Sequence, residues 1–447
     1  MKSMILRSAA VAALMALGAG AFAAESAIPD PFASLKGSQQ QSQGANAAAS
    51  SGAAPQAQGA QAAAAPVPVV IPAPPEFDAK SWVLMDYYSG RVITARNQDE
   101  RIWPASLTKM MTAYVIGMEL KAGRLHMEDD VTIPENAWAK NYSDSSKMFI
   151  EVGKTIKVGD LLRGIIIQSG NDACVAMAVH LAGTEEGFVS VMNSYARKLG
   201  LKNTHFSNVH GLYDENNYST AYDMALMGRA VIRDLPNEYP LYSQKEFTFN
   251  GIRQMNRNRL LWDKSLNVDG IKTGHLSEVG FNLVTSATKD GMRLIAAVIG
   301  AKSDKERAAD NRALLLYGFN YFELYTPLPS SKALLSRKVR MGDKGEVRLG
   351  LENNLSLLIP RGSQQRISVS YRLKSPEFTA PIKKGAVLGA LDVKLDKDLL
   401  SSAPLVALED VGEGGFFSRT WDRVMMFFTG GGETEVKADA GKDGKAQ

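Results

Sequence analysis

Apolar, β-prone residues cluster into two runs in SWVLMDYYSGRVITARN, on either side of the polar Ser89-Gly90, and this predicts a hairpin. The pattern then changes. As far as about Arg233 apolar residues recur at helical spacing, with Leu107, Met110, Met111, Tyr114, Val115 and Met118 on one stripe of the first helix. β-rich runs return in SLNVDGIKTGH, VGFNLVTSAT and MRLIAAVIGA, the last two joined through Lys289-Asp290-Gly291, which suits a tight turn. Strands at both ends of a helical middle imply an α/β domain over residues 76–328, its antiparallel sheet assembled from both ends of the domain. Beyond it, KVRMGDKGEVRLG, NLSLLIP, RISVSYRL and GAVLGALDVKL are short alternating runs with Gly and Pro between them. A smaller all-β domain is expected there, over 329–410.

The two ends of the chain follow other patterns. Lys2 and Arg7 precede a short apolar run and the small residues Ala21 and Ala23, the pattern of a cleaved secretory signal over 1–23. Residues 24–75 are built from Ala, Gln, Ser, Gly and Pro, with too little to bury, and read as a disordered tether. An amphipathic helix is expected over 411–430. Wound at 100° per residue, Phe416, Phe417, Trp421, Val424, Met425, Phe427 and Phe428 fall on one half, and Ser418, Arg419, Asp422 and Arg423 on the other, with Met426 out of pattern. An aromatic face with basic flanks suits a helix lying in a membrane surface through residues 416–428. Residues 431–447 are glycine-rich and charged, and read as a disordered tail.

Composition narrows the classes further. The 447 residues are 45% hydrophobic and 22% charged, with a net charge of +4 spread along the chain, so there is no concentrated basic face for a nucleic acid. The lone Cys174, in ACVAMAV, reads as a buried small hydrophobe. Five histidines show no HExxH spacing; no metal site and no cofactor is expected.

The candidate chemistry begins at PASLTKMM. On a helix Ser106 and Lys109 share a face beside apolar neighbours, and a desolvated amine takes a proton from a nearby hydroxyl more readily. The Ser-x-x-Lys spacing occurs a second time, at Ser286 and Lys289, but inside an expected strand, where residues three apart point to opposite faces. Ser169-Gly170-Asn171 lies between two apolar helical stretches and would present a hydroxyl and an amide from a loop; Ser265-Leu266-Asn267 repeats that triplet. Lys272-Thr273-Gly274 closes a β-run and offers a cation, a hydroxyl and a glycine that admits a substrate backbone.

Serine with lysine, then Ser-x-Asn, then Lys-Thr-Gly, in that order, is the pattern of penicillin-recognising serine enzymes. With the blocks SGNDACVAMA, LGLKNTHFSNVHGL, EFTFNGIRQMNRN and LNVDGIKTGH, the chain resembles the D-alanyl-D-alanine carboxypeptidases among low-molecular-mass penicillin-binding proteins of the five/six type. The long Ala/Gln tether departs from that pattern. The resemblance implies a penicillin-recognising fold: an antiparallel sheet with a helical cluster, a smaller all-β domain and a C-terminal amphipathic helix. It implies Ser106 as nucleophile, Lys109 as its base and Ser169 as a proton relay toward the leaving D-alanine. Asn171 would hold the acylating part of the substrate. The oxyanion would lie between the N–H groups of Ser106 and His275; Lys272, Thr273 and Arg307, with Arg257 as a further contributor, would meet the terminal carboxylate, and Gly274 would let the substrate backbone approach. The expected partners are stem peptides ending in D-Ala-D-Ala, β-lactams as covalent inhibitors and the periplasmic face of a bacterial inner membrane, with a homodimer left open. Three rivals remain. A class A β-lactamase is disfavoured, because no ExxLN stretch falls between Asn171 and Lys272. A D,D-endopeptidase and a tethered peptidoglycan-binding scaffold are separated from the carboxypeptidase less well.

Overall fold

The computed structural model describes residues 71–330 and 332–415. The expected signal, the tether as far as residue 70, the membrane-surface helix from Phe416 on and the tail lie outside the described residues. In chain order the first part runs β1 (Ser81–Asp86), β2 (Val92–Arg96), α1 (Lys109–Lys121), β3 (Asp130–Thr132), β4 (Thr155–Lys157), α2 (Val158–Arg163) and α3 (Asn171–Ala182). It continues through α4 (Glu185–Lys198), α5 (Ala221–Asp234), β5 (Glu246–Phe249), β6 (Ile252–Met255), β7 (Asn267–Leu276), β8 (Gly280–Lys289), β9 (Met292–Ala301) and α6 (Asp304–Tyr321).

Both ends of this part build one five-stranded antiparallel sheet in the order β2-β1-β9-β8-β7, as the sequence implies. Strand alternation divides its apolar residues between two layers. Leu294, Ala296 and Val298 of β9 pack with Leu314, Leu315 and Phe319 of α6 on one face. Ile295, Ala297 and Ile299 face the helical cluster on the other. A strand covered on both faces reads as a continuous apolar run, which is why MRLIAAVIGA carries so little alternation. The β8–β9 turn has Asp290 and Gly291 at φ 51° and 77°, the left-handed pair that a tight hairpin favours.

The helical stretch is less continuous than its periodicity suggests. β3 and β4 interrupt it as a two-stranded pair with Val131 opposite Ile156, each buried between exposed neighbours. Three-residue strands are too short for a period of two to show. Nor is α1 amphipathic over its first half. Every residue from Lys109 to Gly117 is buried, so the stripe expected on one side becomes burial on all sides.

The second part is all-β, as expected. It comprises β10 (Phe322–Leu328), β11 (Leu335–Arg340), β12 (Glu346–Gly350), β13 (Leu355–Pro360), β14 (Ile367–Leu373), β15 (Phe378–Thr379), β16 (Val387–Leu395) and β17 (Asp398–Ala407). β10 pairs with β13, and the other six form a sheet in the order β14-β16-β17-β12-β11-β15. Its core is separate from the first, around Leu357, Ile359, Leu391, Val393 and Leu405. β17, in DLLSSAPLVA, is a strand that the alternating runs did not single out.

Candidate active site

Ala105 stands at φ 53°, a left-handed conformation that a helix cannot continue through, so the helical run begins there, first as a 3₁₀ turn, Ala105–Thr108, that leads directly into α1 at Lys109. Ser106 is therefore on the 3₁₀ turn rather than in α1 itself. The expected proximity survives the change. Lys109 Nζ donates to Ser106 Oγ at 3.0 Å, to Asn171 Oδ1 at 2.7 Å and to the His210 carbonyl at 2.5 Å.

Lys109 is 1% exposed, and these three acceptors are neutral. Burial therefore penalises its ammonium form, and with the positive field of Arg257 it lowers the lysine from 10.5 to about 8. Burial, and after it the charge of the same lysine, pushes His210 down to about 3, so that ring is neutral at physiological pH.

The Ser-Gly-Asn triplet follows a π turn, Gly164–Gln168, which leaves Ser169 at φ 62° and sets its hydroxyl into the site. Across it, Lys272 Nζ donates to Ser169 Oγ at 3.0 Å and to the Thr273 carbonyl at 3.1 Å. Lys272 is 3% exposed; burial first, then Lys109, Arg257 and Arg307, hold it well below the usual lysine value.

Lys-Thr-Gly does not close its strand. β7 runs on to Leu276 and forms the edge of the sheet, its free side toward the Ser106 turn. A side chain at Gly274 would meet the Pro104 carbonyl at 3.0 Å and the Ser106 nitrogen at 3.3 Å, so a glycine lets strand and turn touch. The Thr273 carbonyl faces the site, through its bond from Lys272. Backbone groups two residues apart along a strand point the same way, which puts the His275 N–H on that side also. The His275 ring is itself exposed and lies against Phe281, centroids 4.1 Å apart.

Two expected contacts are differently occupied in the free enzyme. Asn171 spends its oxygen on Lys109 and its amide N–H on Ser145 Oγ at 2.8 Å. Arg307, 5% exposed, donates from Nη1 to the carbonyls of Gly274 at 2.9 Å and Asn282 at 3.2 Å, and from Nη2 to Asp304. Arg257 is exposed and donates from Nη1 to Ser146 Oγ at 2.6 Å. Ser286 and Lys289 both lie in β8, as expected of the second Ser-x-x-Lys spacing.

Several supporting residues escaped the motif reading. The Asp172 carboxylate is fully buried and accepts from the N–H groups of Met148, Phe149, Ile150 and Ala173 at 2.8–3.2 Å. It ties down the segment whose Ser145 and Ser146 bond Asn171 and Arg257. A carboxylate inside IIIQSGNDACVAMAV was the signal, since an acid so placed must find donors. Asn258, 1% exposed, bonds the Gly270 carbonyl at 2.8 Å and steadies β7 beside Arg257.

Ser106, Ser169, Asn171, Arg257, Thr273, Gly274, His275 and Arg307 line a cleft of about 960 Å³, which also takes in Tyr213, Met255, Glu278 and Asp304. Among the described residues no group of His, Cys, Asp and Glu is placed to hold a metal ion. A serine hydroxyl on a lysine of depressed pKa, facing a second lysine across an edge strand, equips the cleft for acyl transfer through a serine. The comparisons give the same class. The family described as D-alanyl-D-alanine carboxypeptidase matches residues 69–303, and the penicillin-binding protein 5 C-terminal domain matches 322–413. The chain belongs to the D-alanyl-D-alanine carboxypeptidase family.

It is similar to the D-alanyl-D-alanine carboxypeptidases DacC and DacA of Escherichia coli (strain K12), each 50% identical. The first match spans 79% of this chain and 89% of the relative, the second 81% and 91%. Penicillin binding protein 5 from Haemophilus influenzae superposes with a TM-score of 0.73 at 49% identity, over 76% of this chain and 99% of that one. The fold is that of the penicillin-recognising serine enzymes.

Proposed function

We propose that the cleft removes the terminal D-alanine from peptidoglycan stem pentapeptides through an acyl-enzyme on Ser106, and so limits cross-linking. The 3.0 Å contact between Ser106 Oγ and a buried Lys109 whose pKa is about 8 carries this reading. Lys109, as free amine, takes the hydroxyl proton as Oγ attacks the carbonyl carbon between the two D-alanines. The oxyanion is held by the N–H groups of Ser106 and His275. As the carbon–nitrogen bond breaks, the proton that Lys109 took from Ser106 is relayed through the Ser169 hydroxyl, 3.0 Å from Lys272 Nζ, to the departing amine, and Lys109 returns to its free-amine form. Thr273, Arg307 and Arg257 face the carboxylate of the departing residue, and Gly274 keeps β7 close to Ser106. Asn171 holds Lys109 in place and turns its amide to the substrate as Ser145 gives way. Water, activated by Lys109 in turn, cleaves the ester and frees the shortened peptide.

Mass spectrometry of pentapeptide muropeptides incubated with the protein should show loss of one alanine, and none with Ser106→Ala. Cleavage of cross-linked dimers alone would move the reading to an endopeptidase. A scaffold without a reactive serine would label with fluorescent penicillin equally little in both forms.

Among the described residues no helix is long and apolar enough to cross a membrane. We propose that the protein works exported, on the periplasmic side, attached peripherally through residues 416–428, whose aromatic face and basic flanks support this. A chain ending at Gly415 should leave the membrane fraction for the soluble one with its penicillin acylation rate intact; membrane retention of the truncated chain would refute the attachment.

A further inference from the structure

Asp304 opens α6 inside the cleft and meets two arginines from two directions. Its Oδ1 accepts from Nη2 of Arg307 one helical turn on, and its Oδ2 from Nε of Arg259, in the turn Arg259–Trp262. The start of α6 is held firmly. Ser303 Oγ accepts from the Glu306 N–H at 3.1 Å, and the Glu306 carboxylate takes the Lys302 N–H at 3.1 Å. That cap fixes where the Asp304 side chain, 29% exposed, faces the cleft.

The charge around it is lopsided. Ser106 is ringed by Lys109, Lys272, Arg257, Arg259 and Arg307, and Asp304 is the cleft-lining acid paired with any of them among the described residues. Arg307 is the partner that matters for chemistry. Its Nη1 is fully spent on the Gly274 and Asn282 carbonyls, inside the protein. Nη2, which Asp304 takes, is therefore the nitrogen on which an incoming carboxylate competes with Asp304.

We propose that Asp304 is a specificity-determining and positioning residue that stands in for the substrate's terminal carboxylate. It neutralises and orients Arg307 while the cleft is empty, and it competes with the carboxylate for the same nitrogen when the peptide arrives. A buried guanidinium without a counter-charge is costly, so the empty site needs such a stand-in. The same negative charge repels the carboxylate of the bound peptide and of the departing D-alanine. A penalty felt alike by bound substrate and transition state raises KM and leaves kcat unchanged. This inference rests on the reading that Arg307 meets the carboxylate.

Asp304→Asn in the full chain tests it, because the amide keeps the shape and an acceptor for Arg307 while removing the charge. On a stem peptide ending in D-Ala-D-Ala, KM should fall about fivefold with kcat within about twofold of wild type, the size of one exposed ion-pair effect. Asp304→Glu should return KM toward the wild-type value. Tightened binding with an intact kcat is a direction that damage to the fold does not produce. An unchanged or raised KM in the asparagine variant would overturn the proposal, and would leave Asp304 as a brace for the start of α6. Should wild type release no D-alanine, the functional reading itself has failed. The stand-in role is then read from acylation by benzylpenicillin, which also carries a carboxylate, and its second-order rate should rise about fivefold in Asp304→Asn and return with Asp304→Glu.

Discussion

Acylation of Ser106 should climb about tenfold for each pH unit up to about 8 and then level off, because only the free amine of Lys109 accepts the serine proton. Stopped-flow quenching by a fluorescent penicillin reads this directly. Lys109→Met, which keeps the length of the side chain and removes the base, should slow acylation by ~10²–10⁴-fold and abolish that limb of the profile. A rate limb centred near 10 in wild type would show that burial does not set this lysine's proton affinity. Stability carries the same signature. The lysine titrates at 10.5 when unfolded and about 8 when folded, so below 8 the folded state holds a buried charge that it disfavours. That penalty is fully present below pH 8 and disappears as pH rises through 8 toward 10.5. Over this window the urea unfolding free energy of wild type should gain ~3 kcal/mol relative to Lys109→Met, an order-of-magnitude conversion of the shift.

Gly211→Ala should cost ~2–4 kcal/mol in unfolding free energy and slow acylation at least tenfold, on the order expected for a displaced nucleophile. Gly211 stands at φ 83°, and a Cβ there would lie 1.9 Å from the Ala105 carbonyl oxygen and 2.9 Å from Thr108 Oγ1. Both atoms belong to the turn that carries Ser106. The neighbouring His210 carbonyl is an acceptor for Lys109, so the strain reaches nucleophile and base together. Gly123→Ala provides the contrast. Its φ is 66° with nothing within 4 Å, so backbone strain alone should cost ~1 kcal/mol and leave acylation unchanged. Equal losses in the two variants, by chemical denaturation and penicillin acylation, would refute the steric account.

The segments that carry the sheet were legible because each encodes its own periodicity. The runs around Ser89-Gly90 and across Asp290-Gly291 became hairpins, joined by a five-residue and a two-residue connection, since a short turn needs only local geometry. β3 and β4 were not legible, because three residues do not define a period, and neither was β17. At the site, the spacing of Ser106 and Lys109 predicted their proximity for a helix, and the contact formed although the turn is 3₁₀ there. The Lys-Thr-Gly run was readable as strand, but not as the edge strand whose backbone meets the Ser106 turn. Asp304 carried no motif. Its partners come from α6 and from the turn after β6, two segments that sequence alone does not bring together.

By itself the sequence determined the strands of the main sheet, the first long helix, the order of the three motifs and the family to which they belong, because these are written in short-range spacing. Tertiary structure decided the chemistry of Lys109. Its acceptors come from Asn171 and from the His210 carbonyl, 62 and 101 residues along the chain. Its burial comes from a helix enclosed on all sides rather than along one stripe. An amine's proton affinity depends on the water removed from around it and on the charges brought near, and both are set by segments distant in the chain.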